Sequence, residues 1–228
     1  MNRRNNTYTR LAPISEGTYQ EASRRADLLP IYTKSHRKGA ANGVGCLGEV
    51  IAESWMAQNE INFRKRDKTT HDYEICLPTG ETLTIDVKTK DRTCVPLIDY
   101  DNSVPLYNHD HQRPDYFLYI SLQRSKDDRS DDIRRFKTAY ILGGISYEEL
   151  NKIGIVFYGN EPDWRNKTNF WTDCLNVACW QLIPNRQFLS LLKGSEVNIP
   201  NADINYPVVN IIRELIEQGR YRDRNLPC

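Results

Sequence analysis

Four residues carry side chains that together could do chemistry: Glu49, Asp72, Asp86 and Lys88. Carboxylates suit a hard divalent ion such as Mg²⁺, which takes oxygen ligands. Two or three carboxylates brought to one point repel each other, and a metal ion removes that repulsion. A lysine beside the ion can hold or help deprotonate an attacking water. It can also stabilise charge developing on a phosphoryl group. The chemistry implied is phosphodiester hydrolysis. Taken singly, none of the four is informative. An Asp-x-Lys alternation is common on solvated sheet faces, Asp72 could cap a turn, and Glu49 could sit on a helix surface. Their order, with a predicted hairpin joining Asp72 to Asp86, is what makes them a set.

The elements that must position them are readable from periodicity. In residues 43–60, Val44, Leu47, Ile51 and Trp55 recur at helical spacing, with Val50 beside the stripe. A helix is predicted over 44–58, with Asn42 as a candidate cap. Residues 61–63 form a short strand or the turn after that helix. DYEICL (72–77) and TLTIDVKTK (82–90) are rich in β-formers and are separated by Pro78 and Gly80, which predicts a hairpin. On its second strand, period-2 alternation puts Asp86 and Lys88 on one face. Strands are predicted over 115–123, 136–145 and 152–159. A short helix opens on Ser146 and Glu149 as a capping box. Residues 91–113 and the charged run 126–132 are expected to be loops. The chain from 160 is less regular, with a short helix at 187–194 and an amphipathic one at 208–219. The latter places Val208, Ile211, Ile212, Leu215 and Ile216 on one face that needs a partner surface.

Two other motifs carry less. Gly43-Val44-Gly45-Cys46-Leu47-Gly48 is formally GxGxxG, but a dinucleotide site needs a strand before it and an acidic residue about 20 positions on. TKSHRKGAAN is not a convincing strand, and the next candidate acid, Asp72, opens a hairpin. The glycines are better explained by close packing of the helix start. Cys94 with His109 and His111 is a weak zinc candidate, outweighed by a loop with scattered polar residues. The six cysteines form no CxxC pair and suit neither a zinc knuckle nor a disulfide scaffold.

The chain has 228 residues, with 31 Lys+Arg against 30 Asp+Glu, a formal net charge of +1. A composition with 39% hydrophobic and 27% charged residues excludes disordered, collagen-like and coiled-coil chains. No apolar run is long enough for a membrane span. The basic N-terminus lacks the apolar core of a signal peptide, so a reducing cytoplasm is expected. Near-neutral net charge does not argue against nucleic acid, because binding is decided by where charge sits. Before residue 41 there are eight Lys/Arg against three acids, and Arg64, Lys65, Arg66 and Lys68 form a second basic cluster. Arg134 and Arg135 are further candidates for phosphate contact. Tyr100, Tyr107, His109 and His111 lie on the predicted 91–113 loop, where substrate contact and an inert loop are equally compatible.

With these residues in view, the chain resembles the PD-(D/E)xK nuclease superfamily, with similarity to phage and bacterial members. The resemblance rests on GEVIAESWM (48–56), HDYEI (71–75) and TIDVKTK (84–90), and spans roughly residues 40 to 159. Asp86-Val87-Lys88 matches the (D/E)xK, Asp72 the family's first aspartate, and Glu49 the helix glutamate that joins the site in many members. Glu53, one turn on, is the alternative, and Lys90 shares a face with Lys88 and could replace it. His71 stands where the motif has proline. It could touch the scissile phosphate or simply hydrogen-bond the backbone. The resemblance implies an α/β fold with a restriction-endonuclease-like central mixed β-sheet flanked by helices. It implies Mg²⁺, with Mn²⁺ as a substitute, held by Asp72, Asp86, the Val87 carbonyl and Glu49, with Lys88 orienting the water. Arg64, Lys65, Arg66, Lys68, His71 and Lys90 are the implied nucleic-acid contacts. The implied activity is endonucleolytic cleavage of double-stranded DNA to 5′-phosphate and 3′-hydroxyl ends, with a homodimer suiting double-strand cleavage. A Holliday-junction resolvase, a repair nuclease or exonuclease, and a catalytically inactive nucleic-acid-binding protein on the same fold are alternatives, and RNA as substrate stays open. An unrelated interaction protein is a third class. The expected organisation is a basic extension (1–30), a nuclease core (31–160) and a C-terminal extension (161–228) whose helix packs on the core.

Overall fold

A computed structural model of the chain describes residues 8–30, 39–66, 69–109, 111–165, 168–197 and 206–226. In chain order its elements are β1 (Thr9–Leu11), α1 (Glu16–Leu28), α2 (Gly39–Gln58), β2 (Phe63–Lys65), β3 (Tyr73–Cys76), β4 (Thr82–Arg92), β5 (Asp101–Pro105), α3 (Leu106–His109), β6 (Tyr116–Arg124), β7 (Phe136–Ser146), α4 (Tyr147–Ile153), β8 (Ile155–Phe157), β9 (Pro162–Asp163), β10 (Thr168–Asn169), β11 (Cys174–Ala178), β12 (Ile183–Pro184), α5 (Asn185–Leu192) and α6 (Tyr206–Glu217). Among the described residues these make an α/β protein around a seven-stranded mixed sheet, ordered β1-β7-β6-β4-β3-β2, with β12 also on β7. The β4–β6 pair is parallel and its neighbours are antiparallel. A second sheet, β5-β11-β8, is not joined to the first by strand pairing.

Alternation along β4 and β6 decides what covers each face. Ile85 on β4 and Leu118, Ile120 and Leu122 on β6 share a core with Leu47, Val50, Ile51, Ala52, Trp55 and Met56 of α2. Each such side chain contributes ~1.5–3 kcal/mol relative to leaving it in water. On the opposite face Phe117 and Tyr119 pack with Val104, Leu175 and Val177 from the second sheet. The large sheet is therefore covered on both sides, as its mostly apolar central strands require. Gly143 shows how tightly β12 is laid on β7: its φ is +129°, and a Cβ there would meet the Ile183 carbonyl oxygen at 2.0 Å.

The expected hairpin, core strands and C-terminal helix form close to their predicted bounds. In α6, Val209, Ile212 and Leu215 are buried against Ile155, Phe157 and Phe170. Ser146 caps α4 by accepting from the Glu149 amide at 3.1 Å. Three expectations need correction. The long helix begins at Gly39, so Asn42 is not its cap; its amide instead donates to the Pro30 carbonyl at 3.2 Å. Residues 152–159 are divided between the end of α4 and the short β8. The 91–113 loop contains β5 and α3, missed because β5 is polar: Asp101 and Asn102 are buried by pairing with β11, not by apolar character. Residues Gly43 to Gly48 lie inside α2, which is incompatible with a phosphate-binding turn between strand and helix. No helix among the described residues is long and apolar enough to cross a membrane.

Candidate active site

The site forms where the sheet changes width. β3 pairs with β4 only from Cys76↔Thr82 to Tyr73↔Ile85, whereas β4 runs on with β6 to Arg92↔Gln123. Beyond Ile85 the β3 side of β4 has no paired strand among the described residues. The chain entering β3 turns away there, and Asp72 lies at the fork. Its amide donates to the Ile85 carbonyl at 2.9 Å, and its Oδ2 accepts from the Val87 amide at 2.7 Å. A carboxylate thus replaces the missing strand. A strand residue sends its N–H and C=O to the same side, so the Val87 carbonyl faces this open edge too.

Asp86 and Lys88 share a face of β4, as alternation predicts, and Lys88 Nζ lies 2.6 Å from Asp86 Oδ2. The contact has ion-pair distance without hydrogen-bond geometry, so among the described residues this buried carboxylate oxygen is held by the Lys88 charge and by no hydrogen bond. Lys88 also donates to Gln112 Oε1 at 2.8 Å and lies over the Phe117 ring, 5.8 Å from its centroid. Tyr119, in register with Lys88 on β6, is buried, and among the described residues its hydroxyl has no hydrogen bond. Burial and then the Asp86 charge push that phenol well up.

Glu49 arrives from α2, and a glycine makes the approach close enough. A Cβ at Gly48 would sit 1.8 Å from Thr89 Oγ1, so α2 can cross β4 at this distance only with glycine there. This is the close helix packing anticipated from the glycine run. Glu49 Oε2 accepts from Lys65 of β2 at 2.9 Å. The alternative helix carboxylate is committed elsewhere. Glu53 takes two bonds from Arg25 (2.6 and 2.7 Å) and one from the Tyr73 hydroxyl at 2.8 Å, tying α2 to α1 and β3. Burial pushes its carboxyl up, and the Arg25 and Tyr73 bonds outweigh that, so it stays below the ordinary range.

Asp72 registers the convergence. Its carboxyl is held well above the usual carboxylate range, first by burial, then by the charges of Asp86 and Glu49. The Val87 amide and Lys88 oppose this without overcoming it. An oxygen-only set of neighbouring carboxylates that raise each other's proton affinity suits a hard divalent cation. Yet among the described residues no three of His, Cys, Asp and Glu form a ready metal cage. The acids are neighbours, each with its own partner: Lys65 for Glu49, the Val87 amide for Asp72, and Lys88 for Asp86.

The other expected residues are dispersed. Lys90 pairs with Asp101 and donates to Ser103 Oγ at 3.0 Å, within a network that includes Arg92. Burial and then Arg92 lower its ammonium pKa to about 7. Arg64 is exposed on edge strand β2, while Arg66 pairs with Glu74 at 2.6 Å. His71 is buried beside the site, its Nδ1 2.9 Å from Thr70 Oγ1. Lys68 lies outside the described residues. Arg134 pairs with Glu16 and Arg135 with Asp91. Cys94 contacts the Tyr100 hydroxyl, and His109 contacts Asn151. Gln112 is the member that sequence reasoning missed, since nothing in a polar loop marks one glutamine. No protein-family model and no curated protein matches this chain.

Proposed function

We propose that this chain is a metal-dependent deoxyribonuclease of the PD-(D/E)xK type, with a restriction-endonuclease-like arrangement of its mixed sheet. One observation carries the reading: Asp86 and Lys88 share a face of β4 at ion-pair distance, and Asp72, bonded to the Val87 amide between them, lies near enough to Asp86 and Glu49 to feel both charges. Asp72, Asp86, the Val87 carbonyl and Glu49 would hold Mg²⁺ or Mn²⁺. When bound, such an ion supplies positive charge that lowers the pKa of a water and offsets charge on the scissile phosphate.

The chain's own groups do the rest. Lys88 presents its ammonium to the water and to the phosphate oxygens. Gln112 and the Phe117 ring limit where that ammonium can go, which keeps it near Asp86. Tyr119 stands beside Lys88 on the neighbouring strand and is buried. Attack in line on phosphorus, with the 3′ oxygen leaving, gives 5′-phosphate and 3′-hydroxyl ends. Exposed Arg64 and the rest of the basic β2 strand supply phosphate contacts.

The test is cleavage of plasmid, single-stranded and branched DNA by the full chain, with Mg²⁺ and with EDTA. Cleavage is expected with Mg²⁺ only, and Asp72→Ala, Asp86→Ala and Lys88→Ala should each abolish it while the protein stays folded by circular dichroism. An Asp86→Ala protein with full activity would end this reading. The choice among the three DNA forms separates an endonuclease acting on duplex from a junction resolvase or an exonuclease.

A further inference from the structure

One cavity plays no part in the site just described. It is an open cleft of about 640 Å³ at the ends of β5, β8 and β11. Its lining includes Tyr107, Asn160, Trp171, Asp173 and Arg222. Tyr107 is 52% exposed and Trp171 66%, although large aromatic side chains are ordinarily covered. Among the described residues only three large hydrophobic side chains are half exposed or more, and two of them line this one cleft.

The walls are built, not loose. The Asp173 carbonyl accepts from the Leu106 amide at 3.0 Å, which fixes the start of α3 and with it Tyr107. Asp173 Oδ1 accepts from the Gly159 amide at 2.8 Å, which ties the opposite wall to the same residue. Arg222 stacks its guanidinium on the Tyr158 ring, 5.1 Å from the centroid, so a cation is held at the rim. Aromatic faces, a carboxylate oxygen and an amide as hydrogen-bond partners, and a cation at the edge together match a nucleobase with its phosphate. A base inside a duplex hides both faces in the stack, so only an unpaired one fits.

Chain continuity places the cleft near the chemistry. Tyr107 belongs to α3, and five residues later Gln112 holds Lys88. Five residues span at most ~18 Å even when extended. At ~3.4 Å per stacked nucleotide, that backbone span corresponds to about five nucleotides. We infer that the Tyr107–Trp171 cleft is a stacking subsite for one unpaired nucleotide of the substrate strand, a few positions from the scissile phosphate. The inference rests on DNA being the substrate.

The test uses the full chain in EDTA, where no strand is cut, and fluorescence anisotropy of a labelled single-stranded 20-mer and its duplex. Trp171→Ala and Tyr107→Ala should each weaken single-strand binding by about fivefold to 150-fold, the loss expected for one stacked base. Trp171→Phe should restore most of it, and duplex affinity should change little. Both positions are exposed, so unchanged melting temperatures are expected and exclude misfolding. Trp171→Ala and Tyr107→Ala proteins that bind the single strand like the parent would overturn the subsite. If those variants bind normally and the parent still cuts plasmid with Mg²⁺, the nuclease reading stands and only the cleft is misassigned. A parent that neither binds nor cuts any DNA sinks both.

Discussion

At the scale of single residues, Asp72 has two duties that conflict. It must lie buried against two other acids, and it must carry charge to be useful. Its raised pKa means that the folded, metal-free chain holds the Asp72 proton to higher pH than the unfolded chain does. Such a group adds stability below its unfolded pKa, and that stability is lost as pH rises through the folded value. The metal-free protein therefore loses stability as pH rises above the ordinary carboxylate range. Asp72→Asn removes the charge and keeps an oxygen for the Val87 amide. It should raise the melting temperature in EDTA at pH 7 by a few degrees, on the order of 1 kcal/mol. The gap should close as pH falls toward the ordinary carboxylate range; a variant that melts lower than the parent at pH 7 would contradict this. Gln112 gives a second prediction. Gln112→Ala frees the Lys88 ammonium from one bond worth ~1 kcal/mol. Cleavage should slow by roughly fivefold to tenfold with little change in melting temperature, as measured by single-turnover assays. The four site residues were legible because strand alternation and helix periodicity fix their directions. Gln112 was not, because its position follows from the path of the loop. Nor could alternation rank Lys88 against Lys90, which share a face; β5, with Asp101, passes only the far end of β4.

At the scale of elements, the site depends on how closely α2 crosses β4. Gly48 against Thr89 sets that distance. Gly48→Ala would force the helix outward, since the added carbon meets a Cβ-branched side chain on a central strand. Overpacking of this kind costs ~1–3 kcal/mol, and here it also moves Glu49 away from Asp72. The expected outcome is a lowered chemical-denaturation midpoint together with a loss of cleavage larger than the loss of folded protein. Equal losses would mean that Glu49 is not positioned by this contact. The hairpin, the core strands and the amphipathic helix were readable because each carries a clean period of two or 3.6. The buried polar strand β5 was not: Asp101 and Asn102 look like loop residues until β11 and Arg92 supply partners.

At the scale of the molecule, the last third of the chain is woven into what precedes it. β11 lies between β5 and β8, and β12 pairs with β7 at Gly143 and Gly144. Sequence reading saw irregularity after residue 160 because its strands are short and their partners are distant in sequence. A chain cut after residue 160 would leave β5 and β8 without their shared partner. It would also expose Tyr119 and Phe117, which pack with Leu175 and Val177. Such a fragment should lack a cooperative thermal transition and bind a hydrophobic dye; a sharp melt near that of the full chain would refute this. The charge balance has a similar reading. Many of the basic side chains offset acids within the fold, as Arg25 does Glu53 and Arg135 does Asp91. Net charge therefore says little about what remains to meet a phosphate.

The fork between β3 and β4 has a consequence for solubility. A strand with one bare side invites a stranger: another chain can add itself there and begin an aggregate. β4 runs seven residues past its last pairing with β3, long enough for such an addition. Asp72 occupies the first amide on offer, so an incoming strand meets a carboxylate where pairing would begin. The carboxylate that would help cut DNA thus also serves as a gatekeeper, keeping the sheet from recruiting its neighbours.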